Sequence, residues 1–304
     1  MILSNSKGVS MGRKLAPKIV ANIFRYVFLL AFSYVLIYPI VFMIVKSIMG
    51  AGDYFNPSVQ WVPQTFTWEN LKNAMGAMDF WNTIKSTFIN EMVAAVLGIL
   101  SCAIAAFGLA RFNFKGKGVL SALMILSILV PSAMTIIPGY VNYQNMGLIN
   151  TPWVFWLPSI FGVGLNGGLF IYIYSQFFKG LPKEIEEAAW VDGAGTWRTF
   201  LQIVLPSSSV VFVTVTVFSV IWHWNDYYLA QMYLAQNFPM SVKLSNLTTT
   251  LGAWMNETMG MNTKLTEAQI LIAACLLAIT PLIIFYVIIQ KRFIASVATS
   301  GIVG

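Results

Sequence analysis

Six long apolar runs, divided by polar segments, organise this chain. They cover about residues 26–45, 88–110, 120–140, 153–177, 209–228 and 269–289. A helix needs about 20 apolar residues to cross about 30 Å of hydrocarbon, and each run meets that length. Backbone in lipid must satisfy its own polar groups, so such runs predict spanning helices. The third carries Pro131 and Pro138, which predicts a kink. The fourth holds Gly162, Gly164, Gly167 and Gly168, which permit close helix packing or local bending. The expectation is an all-α membrane protein with six transmembrane helices.

The polar segments set the orientation. Thirteen of the 18 basic residues fall on one side of this topology, including Lys7, Arg13, Arg25, Arg111, Lys117, Lys183 and Arg292. The other side carries Lys46, Lys72, Lys85, Lys243 and Lys264. The positive-inside rule therefore places both termini in the cytoplasm. The formal charge of +7 follows from that asymmetry and calls for no nucleic-acid partner. Composition agrees: 58% of residues are hydrophobic and 10% charged, against roughly half and a quarter in soluble domains. The organisation expected is a basic cytoplasmic segment over 1–25, a transmembrane domain over 26–290 and a cytoplasmic tail over 291–304. The first run follows several basic residues, is longer than a leader core and precedes no small-residue cleavage site, so it reads as a retained span. Cys102 and Cys275 lie in different apolar runs and suit neither a disulfide nor a metal site.

One cytoplasmic stretch, residues 180–206, is unlike its surroundings: GLPKEIEEAAWVDGAGTWRTFLQIVLP. Pro182 suits a first helical turn, and Glu184, Glu186 and Glu187 then sit near the positive end of the helix dipole. Ile185, Ala188, Ala189 and Asp192 follow helical spacing and are expected to share one flat face. Gly193 and Gly195 can stop the helix. Thr196 is then the cap expected for a second short helix over 197–204, ended by Pro206. Such a segment suits docking into a groove. The plainer reading is an amphipathic helix on the headgroups, against which the three glutamates count, because anionic membranes attract basic segments.

Glu187-Ala188-Ala189, Gly193 after three residues, then Ile203, Leu205 and Pro206 resemble the EAA loop of bacterial ABC importer permeases. Asp192-Gly193-Ala194 is similar to the extended form in the sugar-importer branch. The resemblance extends to the basic turn Ala110–Lys117, to Trp224-Asn225-Asp226-Tyr227 and to Pro57, Pro63, Phe66, Thr67 and Asn70 of the first outer loop. The tail Gln290-Lys291-Arg292-Phe293 and Ser300–Gly304 is similar to that of the maltose-type second permease. Val303 stands where that tail usually has a basic residue, and His223 is a second departure. The resemblance implies a type I importer core and a permease subunit that passes a sugar or oligosaccharide. It implies a second permease, two ATPase subunits and an extracytoplasmic solute-binding protein as partners. ATP and magnesium would be held by the ATPase, since no GxxxxGK[ST] loop is present here. It further implies that Glu184, Glu187, Ala188, Ala189, Asp192, Gly193, Ile203, Leu205 and Pro206 couple to that ATPase.

The remaining polar residues within the runs mark pathways more readily than chemistry. Glu91, Trp224, Asn225, Asp226 and Tyr227 are the candidates for the translocation path. Glu91 has a second reading, in which the helix begins later and the carboxylate lies at the interface beside Lys85. Trp222, Trp224, Tyr227 and Tyr228 suit sugar stacking and an interfacial belt equally. His223, the single histidine, has Asp226 three residues on but no nucleophile, so a structural or pore-facing role is favoured over catalysis.

Overall fold

The computed structural model describes residues 7–260 and 264–300, and among these the chain is helical with no strand beyond one isolated bridge. The labels used below are α1 (Lys7–Ser47), α2 (Phe80–Arg111), α3 (Lys117–Leu129), α4 (Ser132–Asn145), α5 (Trp153–Ile160) and α6 (Gly167–Gly180). They continue with α7 (Glu184–Val191), α8 (Thr196–Ser207), α9 (Ser209–Trp224), α10 (Tyr228–Tyr233), α11 (Met240–Met259) and α12 (Lys264–Ser300). Among the described residues, three helices are long and apolar enough to cross a membrane, or five if each bent pair counts as one span. The expected spans are bent and broken where the sequence carries Pro and Gly. The third becomes α3 and α4, turned through 108°. The turn falls at Pro131, while Pro138 lies inside α4. The fourth is interrupted between α5 and α6, where Gly162 takes φ +72°. The fifth stops at Trp224, short of the expected Tyr228. The tail run Gly301-Ile302-Val303-Gly304 lies outside the described residues.

Two compact units divide the chain. The first comprises Met1–Lys72 and Lys264–Leu276. Its apolar stretch Ala21–Ser47 buries nothing along its most hydropathic window, and Phe24 is 72% exposed. A helix so apolar and so uncovered by its own chain is one that lipid or another membrane chain must cover. Beyond it, the stretch over residues 50–70 is tied into a hook. Asp53 Oδ2 accepts from the Thr65 amide at 2.5 Å and from its hydroxyl at 2.8 Å. These donors hold the Asp53 carboxyl below its ordinary value, because they favour the charged form. Gly50 donates to the Thr65 carbonyl at 3.0 Å, and a Cβ at Gly50 would collide with Thr65 Oγ1. Asn70 Nδ2 caps the carbonyls of Ser47 and Met49 at 3.1 and 2.9 Å, and Gln269 Nε2 reaches the same Met49 carbonyl at 2.6 Å.

The second unit comprises Asn73–Thr263 and Leu277–Gly304. Its axis is α2, which starts at Phe80, earlier than the apolar run suggests, and passes through a π-helical turn at Phe88–Met92. Ala95, Gly98, Cys102, Ala103 and Ala106 recur at helical spacing and are buried. Small side chains there let neighbouring helices come close. Ile99 and Phe107 of α2 pack with Phe170, Tyr174 and Phe178 of α6, Phe200 of α8 and Val215 of α9 in one core. Between α10 and α12 lies the 20-residue α11. Its buried positions Leu247, Leu251 and Met255 repeat every four residues.

Candidate functional site

The segment 180–206 forms two short helices at one end of the second unit. Helix α7 begins at Glu184 behind Lys183, so Pro182 precedes the cap and is not in the first turn as expected. Its three glutamates do occupy the positive end. Gly193 takes φ +80° and closes the helix, its amide donating to the Trp190 carbonyl at 3.0 Å and that of Ala194 to Ala189 at 2.9 Å. An L side chain is strained in that conformation.

The single flat face expected of Ile185, Ala188, Ala189 and Asp192 does not form. Ala189 is buried, whereas Ile185, Ala188 and Asp192 are exposed. Adjacent helical residues point about 100° apart, so the two alanines cannot share one orientation. Glu186 and Ala189, at i and i+3, make the inward face. Glu184, Glu187 and Ala188 face outward with Ile185, Trp190 and Val191, and Val191 is 88% exposed.

The second helix also differs from expectation. Gly195, not Thr196, is the cap, and α8 runs through Pro206 to Ser207. A π-helical turn at Phe200–Val204 precedes the proline. Such a turn breaks the regular i→i−4 ladder, which a proline interrupts in any case. Phe200 and Val204 are buried, with Ile203 and Leu205 only half-buried beside them.

Two residues outside the sequence-nominated set hold this segment. Arg111, at the end of α2, places Nη2 2.6 Å from Glu186 Oε1, with side chains 5% and 4% exposed. The same Nη2 donates to the Leu181 carbonyl at 3.0 Å. Each had a signal in the sequence: Arg111 opens the basic turn after the second run, and Glu186 adjoins Glu187.

The candidates for the path separate into different roles. Glu91 lies in the π-helical turn of α2 with no exposed surface, and neither carboxylate oxygen has a hydrogen-bond partner. The reading in which the helix begins beyond it does not hold, because α2 starts at Phe80. A widened turn also leaves a carbonyl for an outside donor, and Trp156 Nε1 meets Ile89 O at 2.8 Å. Asp226, just beyond α9, is buried as well. Its Oδ1 accepts from the Leu229 amide at 3.2 Å, while Oδ2 is buried and unpartnered. His223 holds the Ser219 carbonyl through Nδ1 at 2.9 Å. Both His223 and Asp226 border a cavity of about 1100 Å³ with mostly apolar walls from α2 to α6. Trp224 is instead a buried anchor, donating to the Ala278 carbonyl at 3.2 Å. Asn225 turns back to the Ile221 carbonyl at 2.8 Å, and Tyr227 packs edge-on against Tyr228. No group of three or more His, Cys, Asp or Glu placed to hold a metal occurs among the described residues.

The melibiose/raffinose/stachyose import permease protein MelC of Bacillus subtilis is 28% identical over 265 residues, covering 86% of this chain and 90% of MelC. The diacetylchitobiose uptake system permease protein NgcG of Streptomyces coelicolor is 27% identical, over 78% and 74% of the two chains. The osmoprotective compounds uptake permease protein GgtD of Synechocystis is 28% identical, over 86% and 85%. The fold matches a chain of a bacterial ABC transporter that imports the acidic polysaccharide alginate, with TM-score 0.76, 19% identity, and 91% and 98% of the two chains covered. Residues 98–299 match the model of one family, a span that includes α7, α8 and the C-terminal part of α2. The chain therefore belongs to the family of binding-protein-dependent transport system inner membrane components.

Proposed function

We propose that this chain is the membrane-spanning permease subunit of an ATP-driven importer, and that its cargo is a sugar or oligosaccharide handed over by an extracytoplasmic binding protein. The observation that carries this reading is the 180–206 segment, which offers exposed carboxylates and apolar side chains on a short capped helix anchored to the transmembrane core. Sugar permeases such as MelC and NgcG, aligned over most of the chain, support the class of cargo. The similarity to GgtD supports a second reading, with an osmoprotective solute as cargo.

The topology proposed keeps six spans with both termini cytoplasmic, counting α5 with α6 as one broken span. The partners are a second related permease and two ATPase subunits, which hold ATP and magnesium. ATP closes the ATPase pair, the docked segment moves with it, and the spans open alternately to each side. Glu184, Glu187, Ala188, Asp192 and Gly193 form the docking edge and its turn, while Ala189, Ile203 and Leu205 seat the segment against the core and the exposed Pro206 follows the π-helical turn. Of the path candidates, Asp226 is best supported, since it borders the cavity, whereas Glu91 does not line it. Trp224 holds α9 in place, and Asn225 and Tyr227 flank the end of that helix.

Reconstitution with the partner permease, ATPase and binding protein tests this directly. Uptake of an α-galactoside or chitooligosaccharide that depends on ATP and on the loaded binding protein is the expected result. Uptake of an osmoprotective solute alone would transfer the cargo to the second reading, and uptake independent of ATP would defeat the importer.

A further inference from the structure

We propose that Arg111 and Glu186 form the link through which the 180–206 segment moves α2, which makes both positioning residues for transport; this rests on the importer reading above. Glu187 and Glu186 are neighbours, yet helical geometry divides them. Glu187 faces out, where a partner can reach it, and Glu186 faces in, where only this chain can. The inward carboxylate meets Arg111 at 2.6 Å with both side chains almost wholly out of water. An ion pair in such surroundings is weakly screened, and removing one partner leaves a buried charge without compensation. Both charges are well placed on their helices: Glu186 lies in the first turn of α7, and Arg111 in the last turn of α2.

Two further contacts give this pair a mechanical meaning. Arg111 also holds the Leu181 carbonyl, so one guanidinium grips both the entry to the segment and its first helix. One turn earlier on α2, Phe107 packs on Phe200 of α8 with ring centroids 4.9 Å apart and on Phe178 of α6 at 6.2 Å. The end of α2 therefore holds α7 by charge and α8 by packing. Close-packed rings and a buried ion pair cannot slide freely, so a displacement of α7 is carried into α2. Helix α2 also bears Glu91 and contributes Ala105, Gly108 and Leu109 to the cavity wall. The pair thus joins the docking edge to the helix that lines the cavity.

The assembled transporter in proteoliposomes, with loaded binding protein supplied, provides the test. Sugar uptake and ATP hydrolysis are measured together for Glu186→Gln, Arg111→Gln, Arg111→Glu and the reversed double variant Arg111→Glu/Glu186→Arg. The expected result is that each assembled complex still hydrolyses ATP but moves roughly tenfold less sugar per ATP, even where the unpaired charge lowers the assembled yield. The double variant should recover several-fold over Arg111→Glu alone, as a direct pair requires. The proposal is overturned if uptake, hydrolysis and assembled yield fall in proportion, which marks a purely structural role. It is equally overturned if the single variants transport normally. Failure of the importer reading would show in the unmodified complex, which is the reference for every ratio.

Discussion

At the scale of the residue, three side chains carry separable tests. Gly193 has open space where a Cβ would sit, so the cost of replacing it is conformational and comes from its φ of +80°. Gly193→Val should cost about 1–2 kcal/mol locally and abolish coupled uptake, whereas Gly193→Asn, which tolerates that backbone, should retain much of it; uptake beside a detergent melting curve distinguishes them. Glu187→Lys should leave the spans folded, because the side chain is exposed, and should release the ATPase on purification. Asp53 gives a pH dependence. Its folded pKa lies below the ordinary 3.8 because Thr65 donates to the charged form. The stabilisation it provides is full above the unfolded value and is lost as pH falls through the lowered folded one. Amide exchange at Thr65, corrected for intrinsic rate, should lose protection below about pH 4, and Asp53→Asn should remove that dependence. The EAA residues could be read from their order alone. The inward turn of Glu186 could not, since it depends on where Arg111 arrives from another helix.

At the scale of the element, the apolar runs locate the helices but not their breaks. Pro131 and Pro138 look alike in sequence, yet the first lies at the 108° turn and the second inside α4, and only the packed helices choose between them. The π-helical turns at Phe88–Met92 and Phe200–Val204 have no composition of their own; the first contains Glu91, and the second ends two residues before Pro206. The glycines of the fourth run prove to be packing sites as well as a break. A Cβ at Gly168 would collide with Ser127 Oγ and approach the Met124 carbonyl to 3.1 Å, so α6 and α3 touch closely there. Gly168→Leu should therefore destabilise the second unit by about 1–3 kcal/mol through overpacking, visible as a lower melting temperature in detergent. An unchanged melting temperature would mean that α3 and α6 do not meet in the membrane.

At the scale of the whole molecule, the chain presents apolar surfaces that it does not cover itself. Residues 21–39 are exposed throughout, and the outward edge of α7 carries Ile185, Trp190 and Val191 into solvent. Lipid covers the first without further help, but the second is a short helix with three glutamates and needs a protein. Gentle purification from membranes should recover a second permease and a P-loop ATPase with this chain. Recovery of the chain alone across several mild detergents would count against the assembly.

The sequence by itself determined the solvent, the sidedness expected of the basic residues and the segment proposed for coupling. These follow from local quantities: runs of apolar residues, the placement of charge, and a fixed order of residues within one loop. Tertiary structure decided which prolines bend their helices and which of the adjacent carboxylates turns inward. It also showed that Asp226 borders the cavity while Trp224 is spent as an anchor. Those outcomes depend on contacts between residues distant in the chain, such as Arg111 with Glu186 and Trp224 with Ala278. A linear pattern cannot contain them, because burial and partnership are properties of the packed helices and not of the residues taken in order.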